Sequence, residues 1–205
     1  MQGPEKCSRN YQINADGSIL DAGKIVVATG SKSRSLAIDG AAHLINSDEI
    51  LEMTALPDSM IFIGGGVIAM ELGHVLKCAG CSVMILKAMP QLPPCINPGA
   101  ITEIEWESER IGMKTLKSVD VKSIAADGNT LTASLVRDGV EKPLSAARVA
   151  NGTGRVPNID GLDLEAGGVY VTGDALSHTA QLSPVAKYEG RLVGDNIVNG
   201  DSKTP

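Results

Sequence analysis

Short apolar runs separated by glycine- and proline-marked turns lay out the elements of this chain. Tyr11 to Asn14, Ser18 to Leu20 and Lys24 to Ala28 read as short strands, with a turn at Asp16-Gly17 and a close on Thr29-Gly30. Residues 31 to 48 are polar and Gly/Ser-rich, which reads as a crossover. Ser47-Asp48-Glu49 ahead of Ile50, Leu51 and Met53 predicts a capped short helix that ends near Pro57. Met60 to Ile63 is an apolar strand and Val83 to Leu86 a second, with a helical stretch between them closed by Gly80. Four prolines between positions 90 and 98 exclude regular structure there. A charged helix follows over Ala100 to Ile111, with Ile101, Ile104 and Ile111 on one side and Gly112 as its stop. Residues 113 to 150 alternate, with turns at Asp127-Gly128-Asn129 and Asp138-Gly139, and read as a β-meander. Tyr170 to Asp174 is a strand that stops on an acid, and Pro184 to Asn199 is a helix.

Residues 60 to 87 therefore form one βαβ unit, and its first turn carries Gly64-x-Gly66-x-x-Ala69. Gly64 allows the tight turn, Gly66 lets a pyrophosphate approach the backbone, and the small Ala69 lets the helix pack close on the strand. The first-turn N–H groups and the positive end of the helix dipole then face phosphate. A glycine-rich turn alone is weak evidence. With the flanking strand, helix and second strand all present, the turn is read as a dinucleotide site.

Lys87 bears on which dinucleotide. An acid about twenty residues past the glycines usually binds the ribose 2′-OH of NAD. Here the strand ends on Lys87, and along the sequence no acid follows until Glu103. A cation there leans toward the 2′-phosphate of NADP(H); the bland alternative is a solvated lysine in a site that takes NADP or NAD.

Bulk properties narrow the classes. A net charge of −6 argues against an electrostatic grip on nucleic acid or anionic lipid. The apolar runs are too short to span a membrane, and Met1-Gln-Gly-Pro-Glu-Lys lacks the apolar stretch of a signal peptide. The expectation is a cytoplasmic protein, with the mitochondrial matrix as the alternative. Four cysteines do not make a disulfide scaffold. Cys78-Ala-Gly-Cys81 has redox spacing but falls at a helix C-terminus, where the dipole raises a thiol pKa, so both read as packing residues. His43, His74 and His178 show no metal-ligand spacing, and no metal site is expected. The aromatic content of 2% is low for a self-sufficient core and suggests part of something larger.

Several further segments occur in a recognisable order: Ile25-Val-Val-Ala-Thr-Gly-Ser31, Ser47-Asp-Glu, Leu56-Pro, Gly64-Gly-Gly-Val-Ile-Ala-Met-Glu-Leu-Gly73, Gly152-Thr-Gly-Arg-Val-Pro-Asn158, Gly173-Asp174, and Leu182-Ser-Pro-Val-Ala186 with Glu189-Gly-Arg191. Together they resemble the flavoprotein disulfide reductases, a family that includes dihydrolipoamide dehydrogenase, glutathione reductase and mercuric reductase. The resemblance covers nearly all of the chain and corresponds to the central portion of such an enzyme. It implies an α/β fold in which a Rossmann-like three-layer NAD(P)-binding domain with a β-meander is inserted between parts of an FAD-binding domain. By this layout residues 1–42 and 151–205 belong to the FAD part and 43–150 to the NAD(P) part, with an apparent gap near 168–170.

The same resemblance implies roles. Gly64, Gly66, Val67, Ile68 and Ala69 would line the NAD(P) pyrophosphate, and Glu71 would lie near the nicotinamide. Thr29 and Gly30 would mark the first crossing between domains, and Gly152 to Arg155, with Gly154 and Arg155 at the cofactor, the second. Gly173 and Asp174 would receive the flavin ribityl hydroxyls, and the helix start at Leu182, Ser183 and Ala186 would face the flavin pyrimidine. The family's FAD pyrophosphate loop, its helix-borne Cys-x-x-x-x-Cys pair and its C-terminal interface domain have no counterpart in these 205 residues. The expectation is thus the NAD(P)H-binding part of a homodimeric enzyme family that passes hydride to FAD and on to a disulfide or related acceptor. Rival readings are a flavoprotein NAD(P)H oxidase or ferredoxin reductase-type enzyme, and a non-catalytic nucleotide-binding module.

Overall fold

The computed structural model describes residues 11–89, 97–162, 169–177 and 180–200. In chain order these form β1 (Tyr11–Ala15), β2 (Ser18–Ala22), β3 (Ile25–Val27), β4 (Ser31–Ser33), α1 (Ser47–Leu51), β5 (Ser59–Ile63), α2 (Val67–Cys78) and β6 (Ser82–Lys87). There follow α3 (Pro98–Arg110), β7 (Lys114–Lys117), β8 (Asp120–Asp127), β9 (Thr130–Arg137), β10 (Val140–Ala146), β11 (Arg148–Asn151), β12 (Arg155–Pro157), β13 (Val169–Val171) and α4 (Ser183–Asn199). Contacts divide the chain into two compact units. Residues 33–155 are continuous, and 1–32 with 156–205 make up the other.

The continuous unit has three layers. Its central sheet is parallel, in the order β11-β5-β6-β7, and the antiparallel ladder β10-β9-β8 is separate. Side-chain alternation on the central strands explains the layering. Met60, Phe62, Val83 and Ile85 pack with Ala69 and Leu76 of α2 in one buried cluster. Ile61, Ile63 and Leu86 pack with Ile124, Ala133, Leu135 and Ala146 of the ladder in another. A strand buried on both faces has no polar positions to spare, which is why Met60 to Ile63 reads as an unbroken apolar run.

α2 buries Ala69, Gly73 and Leu76, a stripe at helical spacing. Gly73 has no side chain, so Val83 Cγ1 and Met113 Cε come within 3.5 Å of where a Cβ would sit. The helix ends in a Schellman turn. Gly80 is left-handed at φ 109, its N–H donates to Lys77 O at 3.0 Å, and the Cys81 N–H donates to Leu76 O at 3.0 Å. That turn carries Cys81 into the core beside Leu76. Cys78 stays exposed, and burial pushes the Cys81 thiol up. The Cys78–Cys81 spacing is thus a helix terminus, with one cysteine spent on packing. Cys7 and Cys95 lie outside the described residues.

Three sequence expectations need correction. The cap of α1 is Asn46, not Ser47: its side chain accepts from the Asp48 and Glu49 N–H groups, and Glu49 Oε2 accepts from the Asn46 N–H at 2.8 Å. The meander occupies β8 to β10 only. β7 and β11, read with it because they alternate too, join the parallel sheet beside β6 and β5. The helix expected from Ala100 starts at Pro98, because Asn97 accepts from the Gly99 N–H at 2.8 Å and Pro98 fits the first turn.

The two units divide at 32/33 and 155/156. Leu36, Ile38 and Leu44 pack on the ladder-side core, and Ile45 bridges Ala150, so the polar crossover belongs with the continuous unit. In the other unit β1 and β2 pair antiparallel, and β13 adds parallel to β3. At the expected gap near 168–170, Gly168 lies outside the described residues, as does His178, while Val169 and Tyr170 belong to β13.

Candidate functional site

β5 ends into the glycine turn, and each glycine there has a different reason. Gly64 is left-handed at φ 100, and a Cβ on it would lie 2.4 Å from Gly152 O. Backbone against backbone leaves no room, so the turn is pressed onto the segment after β11. Gly65 rests on Lys87, whose Cγ would be 2.6 Å from a Cβ. Gly66 is the N-cap of α2 with an ordinary φ of −78, and its nearest neighbour would be Gly152 O at 3.4 Å. The fold itself would accommodate a side chain at Gly66. What glycine adds there is free approach to the first turn of α2, where no side chain caps the backbone N–H groups.

Around this turn the site assembles from distant segments. Ala69 is fully buried, and its Cβ lies 2.9 Å from where a Cβ on Gly152 would sit. Thr153 is fixed by Asn151, whose Oδ1 accepts from its N–H at 3.1 Å and its hydroxyl at 2.7 Å. Gly154 O accepts from the Arg34 N–H, and Arg155 Nη1 donates to Ser47 Oγ at 3.4 Å. Val67 is exposed, Ile68 half-buried, and Glu71 exposed one turn further along α2. A cavity of about 310 Å³ opens beside the turn, bounded by Ile63, Gly64, Leu86, Ala88, Val119 and Asp120. It lies at the carboxyl ends of the parallel strands, the usual ligand position in open α/β sheets.

Lys87 is at the end of β6, as the sequence placed it, but it is neither solvated nor open. It is 4% exposed, and its ammonium donates to Glu105 Oε1 at 3.2 Å. Glu105 Oε2 accepts from Lys117 Nζ at 2.8 Å. Sequence reading missed this acid because it arrives from α3 rather than along the strand. Burial alone would raise the Glu105 carboxyl, but hydrogen bonds from Lys117 and Lys87 outweigh it and hold the group below the usual carboxylate range. Folding therefore favours the ionised form. That stabilisation is present above the free glutamate pKa of about 4.3 and is lost as pH falls through the lower folded value. The stability gap between the parent chain and Glu105→Gln should accordingly shrink between about pH 5 and pH 3; thermal melts across that range that keep a constant gap would contradict the pairing.

The remaining sequence-predicted residues gather in the discontinuous unit. Thr29 Oγ1 donates to Asn158 O at 2.6 Å, and the Asn158 N–H donates to Gly30 O at 2.9 Å. Ser31 Oγ donates to Asp174 Oδ2 at 3.3 Å, so a half-buried carboxylate sits beside β4. Gly173 is held by Glu189, whose Oε2 accepts its N–H at 2.7 Å, and Ala186 Cβ is 3.4 Å from where a Cβ on Gly173 would lie. α4 starts after Leu182 with Ser183 and a first-turn proline, and no side chain caps it. A carboxylate suits polyol hydroxyls, and an uncapped helix start suits an electron-rich ring edge, so these residues fit a flavin. Among the described residues no cluster of three His, Cys, Asp or Glu could hold a metal, and no helix is long and apolar enough to cross a membrane. His74 instead joins helices, with Nδ1 2.6 Å from Met70 O and Nε2 3.2 Å from Ser108 Oγ.

Residues 2–186 match the family model described as pyridine nucleotide-disulphide oxidoreductase. The chain belongs to that family. Its members depend on flavin and use NAD(P)H. Among its relatives, the dihydrolipoyl dehydrogenase of Mycobacterium leprae is 33% identical over 153 residues, 73% of this chain and 32% of the relative. That of Mycobacterium tuberculosis is 29% identical over 87% of this chain and 43% of its own length. The mercuric reductase of Lysinibacillus sphaericus is 24% identical over 99% of this chain and 41% of the relative. The chain thus spans less than half the length of these relatives. In fold it is similar to the HOCl-induced flavoprotein disulfide reductase RclA from Escherichia coli, with a TM-score of 0.81 over 96% of this chain and 49% of that one, at 18% identity.

Proposed function

We propose that residues 33–155 form the NAD(P)H-binding unit of a flavin-dependent oxidoreductase, and that the other unit contributes part of the FAD site. Hydride would pass from nicotinamide to FAD, and electrons onward to a disulfide or related acceptor. Redox chemistry resides in the cofactors; the protein binds and orients them. The observation that carries the reading is Gly66: a glycine with ordinary backbone angles and room for a Cβ, at an uncapped helix start. Within this reading the first-turn N–H groups of α2 hold pyrophosphate, Arg155 and Gly154 border the same site, and Glu71 faces the nicotinamide. Ser31 orients the Asp174 carboxylate for the ribityl chain. The positive lysine pair at the ends of β6 and β7 supports NADP(H) over NAD(H).

Gly66→Val tests the central step. Branched carbons at this position would occupy the phosphate approach, so NADPH affinity should fall at least about tenfold, the loss of one or more charge-assisted hydrogen bonds. The thermal midpoint should stay close to the parent. Calorimetric titration showing undiminished NADPH binding by that variant would refute the assignment.

A further inference from the structure

Lys87 and Lys117 are register partners on neighbouring parallel strands, and both ammonium groups end on the single carboxylate of Glu105. Two cations on one anion leave a net charge of +1. The two lysines are not equivalent. Lys87 has a side chain only 5% exposed, whereas that of Lys117 is 41% exposed. The Lys87 stem also lies directly under Gly65, so this cluster is packed against the glycine turn itself. Just past Lys117 the chain turns at Ser118, left-handed at φ 57, and enters Val119 and Asp120, which line the cavity beside Gly64. The Val119 N–H closes this turn by donating to Lys87 O at 3.0 Å.

We propose that Lys117 is the cation that meets the 2′-phosphate of NADPH, with Glu105 and the buried Lys87 as positioning residues behind it. The inference rests on the reading of the glycine turn as a dinucleotide site. A buried ammonium already spent on a carboxylate cannot extend to a ligand without abandoning that carboxylate, which is costly in a dry site. Lys117 faces solvent and can keep its contact with Glu105 while offering its remaining N–H donors to phosphate. Glu105 then has two opposed effects. It fixes the ammonium in place, and its own charge moderates the attraction for phosphate.

The test is titration of the folded chain with NADPH and NADH by calorimetry. Lys117→Gln should weaken NADPH binding about tenfold, the lower end for one charge-assisted contact, and leave NADH within twofold. Glu105→Gln removes the negative charge and keeps one accepting oxygen where the carboxylate has two, so it should raise NADPH affinity severalfold and leave NADH unchanged. An unchanged NADPH-to-NADH ratio in Lys117→Gln would overturn the proposal, as would Glu105→Gln weakening both cofactors alike. If the parent chain bound neither cofactor, the dinucleotide reading and this inference would fall together. If it bound both, only the inference is at stake.

Discussion

Gly64→Ala is expected to lower the thermal midpoint of the chain sharply, while Gly66→Ala, two residues on, should leave it nearly unmoved. At Gly64 a methyl group would sit 2.4 Å from Gly152 O and 2.7 Å from Thr153 N, all backbone atoms that cannot swing away. The residue is also held at φ 100, a conformation that costs a non-glycine residue about 1–3 kcal/mol. Forced displacement of the packed segment adds about 1–3 kcal/mol more. A total near 3 kcal/mol is a large share of a small domain's stability. Gly66→Ala meets nothing closer than 3.4 Å at an ordinary φ, and at an N-cap glycine and alanine differ by about 1 kcal/mol or less. Paired melts settle the point: equal losses at both positions would mean that the turn is not pressed on Gly152 as described.

Lys87→Glu is expected to destabilise the continuous unit rather than exchange one cofactor for another. Read from the sequence, this charge reversal should swap preference between NADP(H) and NAD(H), since position 87 ends the second strand. In the folded chain it would bring a second carboxylate against Glu105 in a place where Lys87 is 4% exposed. Leaving buried charge unpaired costs about 3–5 kcal/mol, here reduced because Lys117 still reaches Glu105. Two adjoining carboxylates also raise each other's pKa, so one should take up a proton near neutral pH. The variant should therefore regain part of its lost stability between about pH 7 and pH 5. A variant as stable as the parent at pH 7, with inverted cofactor preference, would show that Lys87 is open to ligand after all.

The βαβ core was legible because its signals are local. An apolar strand, a glycine turn, a helical stripe ended by Gly80 and a second apolar strand follow one another without interruption. What could not be read depends on register and on contacts across layers. Alternation marks a half-covered strand without saying which sheet it joins, so β7 and β11 read as meander although they extend the parallel sheet. Lys87 and Lys117 become neighbours through strand register, and Glu105 reaches both from a helix that lies between them in sequence. Gly152 is another such case. Its importance comes from Gly64 and Ala69 pressing on it, and no pattern within Gly152 to Asn158 announces that contact.

The discontinuous unit has a consequence for the order of assembly. Lys24 and Tyr170, which meet through a hydrogen bond of 3.1 Å, are separated by 146 positions. Closing so long a loop in an unstructured chain is slow, because the entropy must be lost before any contact compensates. Residues 33–155 are contiguous, and once they are folded the Arg34 N–H lies 3.0 Å from Gly154 O. The remaining search then spans a few tens of residues. At about 0.6 kcal/mol for each halving of loop length, this lowers the closure cost by about 1.5 kcal/mol. Folding should therefore be sequential, with the inserted unit acting as the template that brings β3 and β13 within reach. In a refolding experiment, amides of β5 and β6 should gain protection before those of β3.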